Sequence, residues 1–282
     1  MAESRGRLSV KVIGVLLAAL LFFIVGRVLL DRAAEGRLLL GRIDRHEIAP
    51  GIEVVHADLF RSFSEAGRLI AVYADPTKIR LSILLNERQL PINALAQDAL
   101  MVVNGSYFTP QRKPTGLLVS DGHALSPLVK TGGGAGTGVL VIRDGRVMLF
   151  EREQIERTDY DGSSFAIQAG PRVIEPGGSE GIRSDDGLRA NRTVIGADAK
   201  GRVVVAVTYD EDGNRTGPSL FELMQLLGKK GLGELAPELA LDFALNLDGG
   251  PSTGLFLRDV KEEIDLPEGA RVYSVLSLRI IP

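Results

Sequence analysis

Three segments of the chain share one form, an apolar run that reads as a buried strand and ends in polar and glycine residues. Leu100–Phe108 passes from Met101-Val102-Val103 into Asn104-Gly105-Ser106-Tyr107-Phe108. Phe165–Pro171 passes into Gln168-Ala169-Gly170-Pro171, and Leu245–Thr253 into Asp248-Gly249-Gly250-Pro251-Ser252-Thr253. Sheets gather polar side chains at strand ends into ligand crevices. Glycine there lets the backbone turn sharply or approach a ligand closely. One such segment is an ordinary turn, since Asn-Gly and Asp-Gly are common turn pairs. Three in one chain suggest a shared site.

Composition narrows the remaining chemistry. The 282 residues include no Cys, which excludes disulfide scaffolds, Cys-ligated zinc, iron–sulfur clusters and a Cys nucleophile. Three His (His46, His56 and His123) argue against a His-rich metal site and limit any Ser-His-Asp arrangement. The absence of Trp excludes sugar stacking on indole. Glycine is abundant, 33 residues against a usual ~7%. The richest stretch, Thr131–Gly138, has neither the G-x-x-x-x-G-K-[ST] nor the G-x-G-x-x-G spacing and reads as a loop or lid between two strands.

Charge is unevenly spread. Residues 1–42 hold seven basic and three acidic residues, so of 33 basic and 36 acidic residues in the chain, 26 and 33 remain, a net charge of −7. A body of that sign does not bind nucleic acid through bulk charge. An anionic substrate must meet a local cluster of donors.

Val12–Leu30 is almost wholly apolar, with Arg5, Arg7 and Lys11 ahead of it. As a helix at ~1.5 Å per residue it would span roughly 28 Å, close to the hydrocarbon thickness of a bilayer. Residues 1–30 are therefore expected to be a membrane anchor, with a cleaved signal peptide as the rival reading. Either way the body is expected to be exported, to the periplasmic or extracellular face. Residues 31–50 read as a tether or short helix, and residues 51–282 as one domain.

Strand signals dominate that domain. Ile52–Ala57, Arg68–Ala74 and Lys78–Leu85 are short apolar or alternating runs. Gly138–Phe150 reads as a hairpin turning at Asp144-Gly145, and Thr193–Thr208 as another turning at Asp198–Gly201. Leu241–Leu247, Gly254–Leu257 and Tyr273–Ile281 complete the set. Helices are few: Ile92–Asp98 is short, and Ser219–Leu227 carries a capping box, Ser219 with Glu222 three residues on, ended by Gly228. The pattern predicts an α+β fold with a mixed, mostly antiparallel sheet.

On these motifs the chain resembles the phosphodiester glycosidase family. The matching residues are Asn104–Phe108, Pro114-Thr115-Gly116-Leu117, Gln168–Pro171, Arg192-Thr193-Val194-Ile195-Gly196 and Leu245–Thr253, in the family's order and spacing. The likeness runs over roughly 52–282. Ser106 stands where the family usually has Gly, and Pro251 where it has a third Gly.

The resemblance implies hydrolysis of a sugar-1-phosphodiester in envelope or extracellular glycans, releasing sugar and a phosphomonoester. Arg192 is then the expected partner of the phosphodiester, its planar fork matching two phosphate oxygens. Asp248, at the end of an apolar strand, is the expected general acid or base, because partial desolvation raises a carboxyl pKa. Asn104, Gly105, Phe108, Gln168, Thr193, Gly249, Gly250 and Ser252 are the expected substrate contacts. The N–H groups at Gly105-Ser106 and Gly249-Gly250 would form an anion nest. Glycosidic cleavage generally uses two carboxylates. Asp121, Asp185, Asp186 and Asp242 are all candidates for the second, with His123 as an alternative acid or base.

No cofactor is expected, and any metal used would be an oxygen-ligated Ca²⁺ or Mg²⁺. Two other readings are open: a non-catalytic module that binds a phosphate-bearing envelope polymer, and a metal-dependent phosphodiesterase using Asp248.

Overall fold

The computed structural model describes residues 36–62, 64–210, 217–261 and 263–281. The expected anchor, residues 1–30, lies outside the described residues, and among the described residues no helix is long and apolar enough to cross a membrane. Among the described residues the strands form three antiparallel sheets rather than the single mixed sheet expected. The large sheet has the order β1 (Leu38–Ala49), β2 (Ile52–Arg61), β3 (Ser64–Ala74), β14 (Val203–Tyr209), β13 (Arg192–Asp198), β15 (Leu241–Asn246), β11 (Arg172–Glu175) and β12 (Ser179–Glu180). A second sheet runs β7 (His123–Ser126), β6 (Leu118–Ser120), β10 (Phe165–Ala169), β8 (Gly138–Arg143) and β9 (Arg146–Glu151). The third runs β17 (Glu263–Leu266), β16 (Leu255–Arg258), β5 (Met101–Asn104), β18 (Ser274–Ile280) and β4 (Ile79–Leu85).

Both hairpins form where the turn chemistry places them. Asp144 and Gly145 take φ of 51° and 69°, the positive pair that a two-residue turn between twisted strands requires. At the β13–β14 turn, Asp198 Oδ1 accepts from the N–H groups of Lys200 and Arg202 at 3.0 and 2.9 Å. Near-continuous apolar strands such as Val203-Val204-Val205-Ala206-Val207 reflect a sheet covered on both faces. Val203, Val205 and Val207 face the core shared by all three sheets, while Val204 and Ala206 face a second core.

That second core is covered by two helices, Leu220–Leu227 and Leu232–Leu235, which contribute Leu223, Met224, Leu227 and Leu232. Both bonds of the capping box are made: Glu222 N donates to Ser219 Oγ at 3.2 Å, and Ser219 N to Glu222 Oε2 at 2.9 Å. The same Glu222 carboxylate is gripped by the Arg61 fork at 2.5 and 2.8 Å, which ties the helix start to the end of β2. Ile92–Leu95 is a single 3₁₀ turn, shorter than expected.

Residues 31–50 do not form a linker throughout, because Leu38–Ala49 is the edge strand β1, paired with β2. Polar contacts hold it. His46 and His56 both bond the buried Asp259 carboxylate, at 2.5 and 3.0 Å, and Lys261 Nζ meets Asp44 at 2.6 Å. Arg45 pairs with Glu53 at 2.9 Å. A strand fixed by charge and interrupted by two register shifts shows no clean apolar alternation, so it escapes a periodicity reading.

Candidate active site

The ends of β5, β10 and β15 and the start of β13 meet at one edge of the molecule. Asn104, the last residue of β5, is fully buried and joins three of these elements. Its Nδ2 donates to the Asp248 carbonyl at 2.5 Å, and its Oδ1 accepts from Thr193 Oγ1 at 2.7 Å and Gly254 N at 3.4 Å. Beside it, Asp248 N donates to Gly105 O at 3.2 Å. A Cβ on Gly105 would lie 2.4 Å from Ser274 Oγ, so only glycine permits this close approach.

Strand register relates Arg192 to Asp248. β13 and β15 pair Ile195 with Leu245 and Val194 with Asn246. Beyond the strand ends the backbones stay together, with Leu247 N donating to Thr193 O at 2.9 Å and Gly250 N to Asn191 O at 2.8 Å. Continuing the same register brings Arg192 level with Asp248 just beyond the end of β15; the charges of both act on Tyr107, while neither shifts the ionisation of the other.

Both groups are half-buried, and each shows it in its ionisation. Burial pushes the Asp248 carboxyl above its ordinary value, opposed by hydrogen bonds from Ser252 and from Gly249 N–H at 2.9 Å. Burial likewise lowers the Arg192 guanidinium, opposed by the Tyr107 phenolate at the alkaline pH where it forms and by the charge of Asp186. Arg192 spends its hydrogen bonds on the carbonyls of Pro218 and Leu188, and among the described residues it forms no ion pair with a carboxylate. It is a half-buried cation without an ion-pair partner there, which is costly unless an anion arrives.

Tyr107 stands in the field of both groups. Its hydroxyl donates to Gly170 O at 3.0 Å and accepts from Asn246 Nδ2 at 2.7 Å. Burial, reinforced by the Asp248 charge, pushes the phenol up to about 12 despite Arg192 and the Asn246 bond, so it stays neutral. Asn246 Oδ1 and Thr253 Oγ1, either side of Asp248 in the chain, are buried without hydrogen-bond partners among the described residues. Buried polar atoms are rarely left so. Tyr107 and Asn246 belong to motifs visible in the sequence, but sequence reasoning passed over both as site residues. Their polar tips flanking Gly105 and Asp248 were the available signal.

Several expected contacts serve the scaffold. Gln168 is 1% exposed, and its amide is fully engaged. Its Oε1 accepts from Leu117 N and Val129 N at 2.9 and 3.0 Å, and its Nε2 donates to Val129 O and Gly136 O at 2.7 and 3.0 Å. It thereby fastens the glycine loop, with Gly134 O packed against Gly170, beside the site. Thr193 is fully buried and bonds Asn104. Phe108 packs edge-on against Tyr273 at 4.4 Å.

The expected anion nest is not available. Gly105 N donates to Ser274 O, Ser106 N to Ser274 Oγ, Gly249 N to Asp248 Oδ1 and Gly250 N to Asn191 O. Ser106 is not in the left-handed region that would need glycine. Pro251 is the second residue of a single 3₁₀ turn, Gly250–Ser252, where its missing N–H has no intrahelical partner to lose.

The candidate second carboxylates separate by position. Asp121 and His123 lie at the far end of β10, since Ser120 pairs with Phe165, about 16 Å of extended strand from Gly170. Asp242 is four residues back along β15 from Asn246, roughly 13 Å away. Asp185 is held by Ser219 and by Gly187 N–H, which lower its carboxyl. Asp186 alone of the four is among the charges acting on Arg192. Among the described residues no three His, Asp or Glu side chains group as a metal site.

A sequence model of the phosphodiester glycosidase family matches residues 97–275. No curated protein sequence matches the chain significantly. Two solved structures share the fold. The catalytic domain of zebrafish N-acetylglucosamine-1-phosphodiester alpha-N-acetylglucosaminidase, auto-inhibited by its pro-peptide, superposes with a TM-score of 0.59 at 15% identity, over 87% of this chain and 89% of that one. A hypothetical protein from Synechocystis gives 0.56 at 17% identity over 86% of this chain, which spans 64% of the Synechocystis protein.

Proposed function

The chain belongs to the phosphodiester glycosidase family, and from that premise we propose that it hydrolyses a sugar-1-phosphodiester to free sugar and a phosphomonoester. The observation that carries this reading is Arg192, a half-buried guanidinium without a carboxylate partner among the described residues, which shares with the half-buried Asp248 one neighbour, Tyr107, on which both charges act. The zebrafish enzyme's name supports the same bond class, a glycosyl phosphodiester.

Leaving-group chemistry explains why one carboxylate is prominent. Ordinary glycosides expel an alcohol, which needs a general acid. Here the departing group is a phosphomonoester, stable as an anion, and a guanidinium fork stabilises the charge that develops on it. Asp248, its basicity raised by burial and its orientation fixed by Ser252 and Gly249, removes the proton from the attacking water. The water oxygen bonds the anomeric carbon as the bond from that carbon to the bridging oxygen breaks; the bridging oxygen and the electron pair leave with the phosphate. Tyr107, neutral and bonded to Asn246 and Gly170, keeps the wall between the two charged groups rigid. Asp186 is the second carboxylate that this reading retains, acting on Arg192 through charge.

Product analysis tests the proposal. The full chain with a sugar-1-phosphodiester should yield free reducing sugar and a phosphomonoester. Sugar phosphate and free alcohol would instead identify a phosphodiesterase, and tight binding without turnover a binding module. We also propose that residues 12–30 anchor the chain in a membrane with this domain on the exported face. Support for this is their apolar composition alone. Recovery of the full chain in the soluble fraction at its full mass would remove that placement.

A further inference from the structure

A hollow lies at the opposite end of the strands, where β4 of the third sheet meets β8 and β10 of the second. Its volume is about 430 Å³, within the about 300–1,000 Å³ range of small-molecule sites. Ile79, Leu81, Ile142 and Phe165 supply apolar wall. The polar groups are few and of mixed kind. Arg80 and Asp121 face one another at 3.7 Å, with side chains 64% and 50% exposed. Ser163 lines the same hollow, is 1% exposed, and its Oγ is buried with no hydrogen-bond partner.

Asp121 is held in place there. Ser82 Oγ donates to its carboxylate at 3.1 Å and Ser120 Oγ at 3.4 Å. Its backbone takes φ of 50° in the turn that Gly122, at φ of 79°, completes. A non-glycine residue in this region is uncommon, although Asp tolerates it better than most. The turn fixes a carboxylate beside a guanidinium over an apolar floor.

The charge decides the class of ligand. One guanidinium and one carboxylate cancel, so the hollow favours neither a cation nor an anion. A wholly apolar guest would desolvate both charges. A neutral ring with one C–H face and hydroxyls on its edge satisfies both charged groups: hydroxyls donate to Asp121 and accept from Arg80, while the C–H face rests on the apolar floor. We propose that this hollow is a second carbohydrate subsite, binding one neutral pyranose unit remote from Asp248.

The test is binding of methyl α-glucopyranoside, methyl α-mannopyranoside and methyl N-acetyl-α-glucosaminide to the full chain, read by backbone amide shifts, with acetate and methylammonium as charged controls. At least one glycoside should shift Gly122, Ser163 and Ser164, and lose affinity at least fivefold in Arg80→Ala and in Asp121→Asn. Arg80 is well exposed, so its variant should fold. Asp248→Asn should leave this binding unchanged, which separates the subsite from hydrolysis. Three outcomes would overturn the proposal: no shifts at these residues with any glycoside, binding abolished by Asp248→Asn but kept in both hollow variants, or either charged control binding more tightly than every glycoside.

Discussion

Replacing Asn104 by Ala should be the most damaging single change at the site's frame, and its cost can be worked from its bonds. The amide makes three: to the Asp248 carbonyl at 2.5 Å, from Thr193 Oγ1 at 2.7 Å and from Gly254 N at 3.4 Å. Truncation leaves each partner unsatisfied at or near the core, and each such group costs about 1–3 kcal/mol. The long Gly254 bond contributes least, so a total of about 3–4 kcal/mol is expected. For a domain of this size, ~2–4 °C of melting temperature per kcal/mol converts that to roughly 10 °C. Thermal unfolding measures it directly. Thr193→Val removes the 2.7 Å bond alone and should cost about 1 kcal/mol. The pair should couple by ~1 kcal/mol in a double-mutant cycle, because both changes delete the same contact. Asn104→Ala melting within about 2 °C of the wild type would refute the clamp. So would fully additive effects.

Further expectations concern the titrating groups and the loop. Burial raises the Asp248 carboxyl, so the folded state binds its proton more tightly than the unfolded chain. Stability from this group is therefore present at acid pH and lost as pH rises through the folded value. Asp248→Asn should unfold at a higher temperature than wild type at pH 7, with the gap closing below about pH 4. Asp259 runs the other way: burial alone would raise it, but the bonds from His46, His56 and Lys261 N–H hold it low. Its stabilisation is present above the ordinary carboxylate range and lost as pH falls. Asp259→Asn should therefore cost stability at pH 7 and little at pH 3, by denaturant midpoint. Gln168→Leu removes four bonds and should speed proteolytic cleavage within Thr131–Gly138, with equal cleavage rates in the two proteins counting against the loop-fastening role.

The strand ends that carry Asp248 and Arg192 were more legible in the sequence than the parts that support them. Asp248 and Arg192 stand out because an isolated charge at the end of an apolar strand has few structural uses, and β13 and β15, the strands they adjoin, pair in the large sheet. Gln168 and Thr193 look the same in sequence as ligand contacts do, since a polar residue in an apolar strand says only that it has a partner. Four backbone groups and Asn104 turned out to be those partners. Tyr107 was overlooked because the aromatic beside it, Phe108, carries the motif equally well. Only the fold reveals which ring reaches Asn246 and which packs on Tyr273. The hairpins followed from turn residues, whereas β1 depends on ion pairs with residues about 200 positions away, beyond any local pattern.

The shared action of Arg192 and Asp248 is tested most directly by a double-mutant cycle on kcat/KM for sugar release from a sugar-1-phosphodiester. Arg192→Ala and Asp248→Asn should each lower it at least tenfold, and the double variant should lose much less than the product of the two, since both groups act on one transition state. Rates within twofold of wild type in both single variants, or losses that multiply in full, would contradict the account.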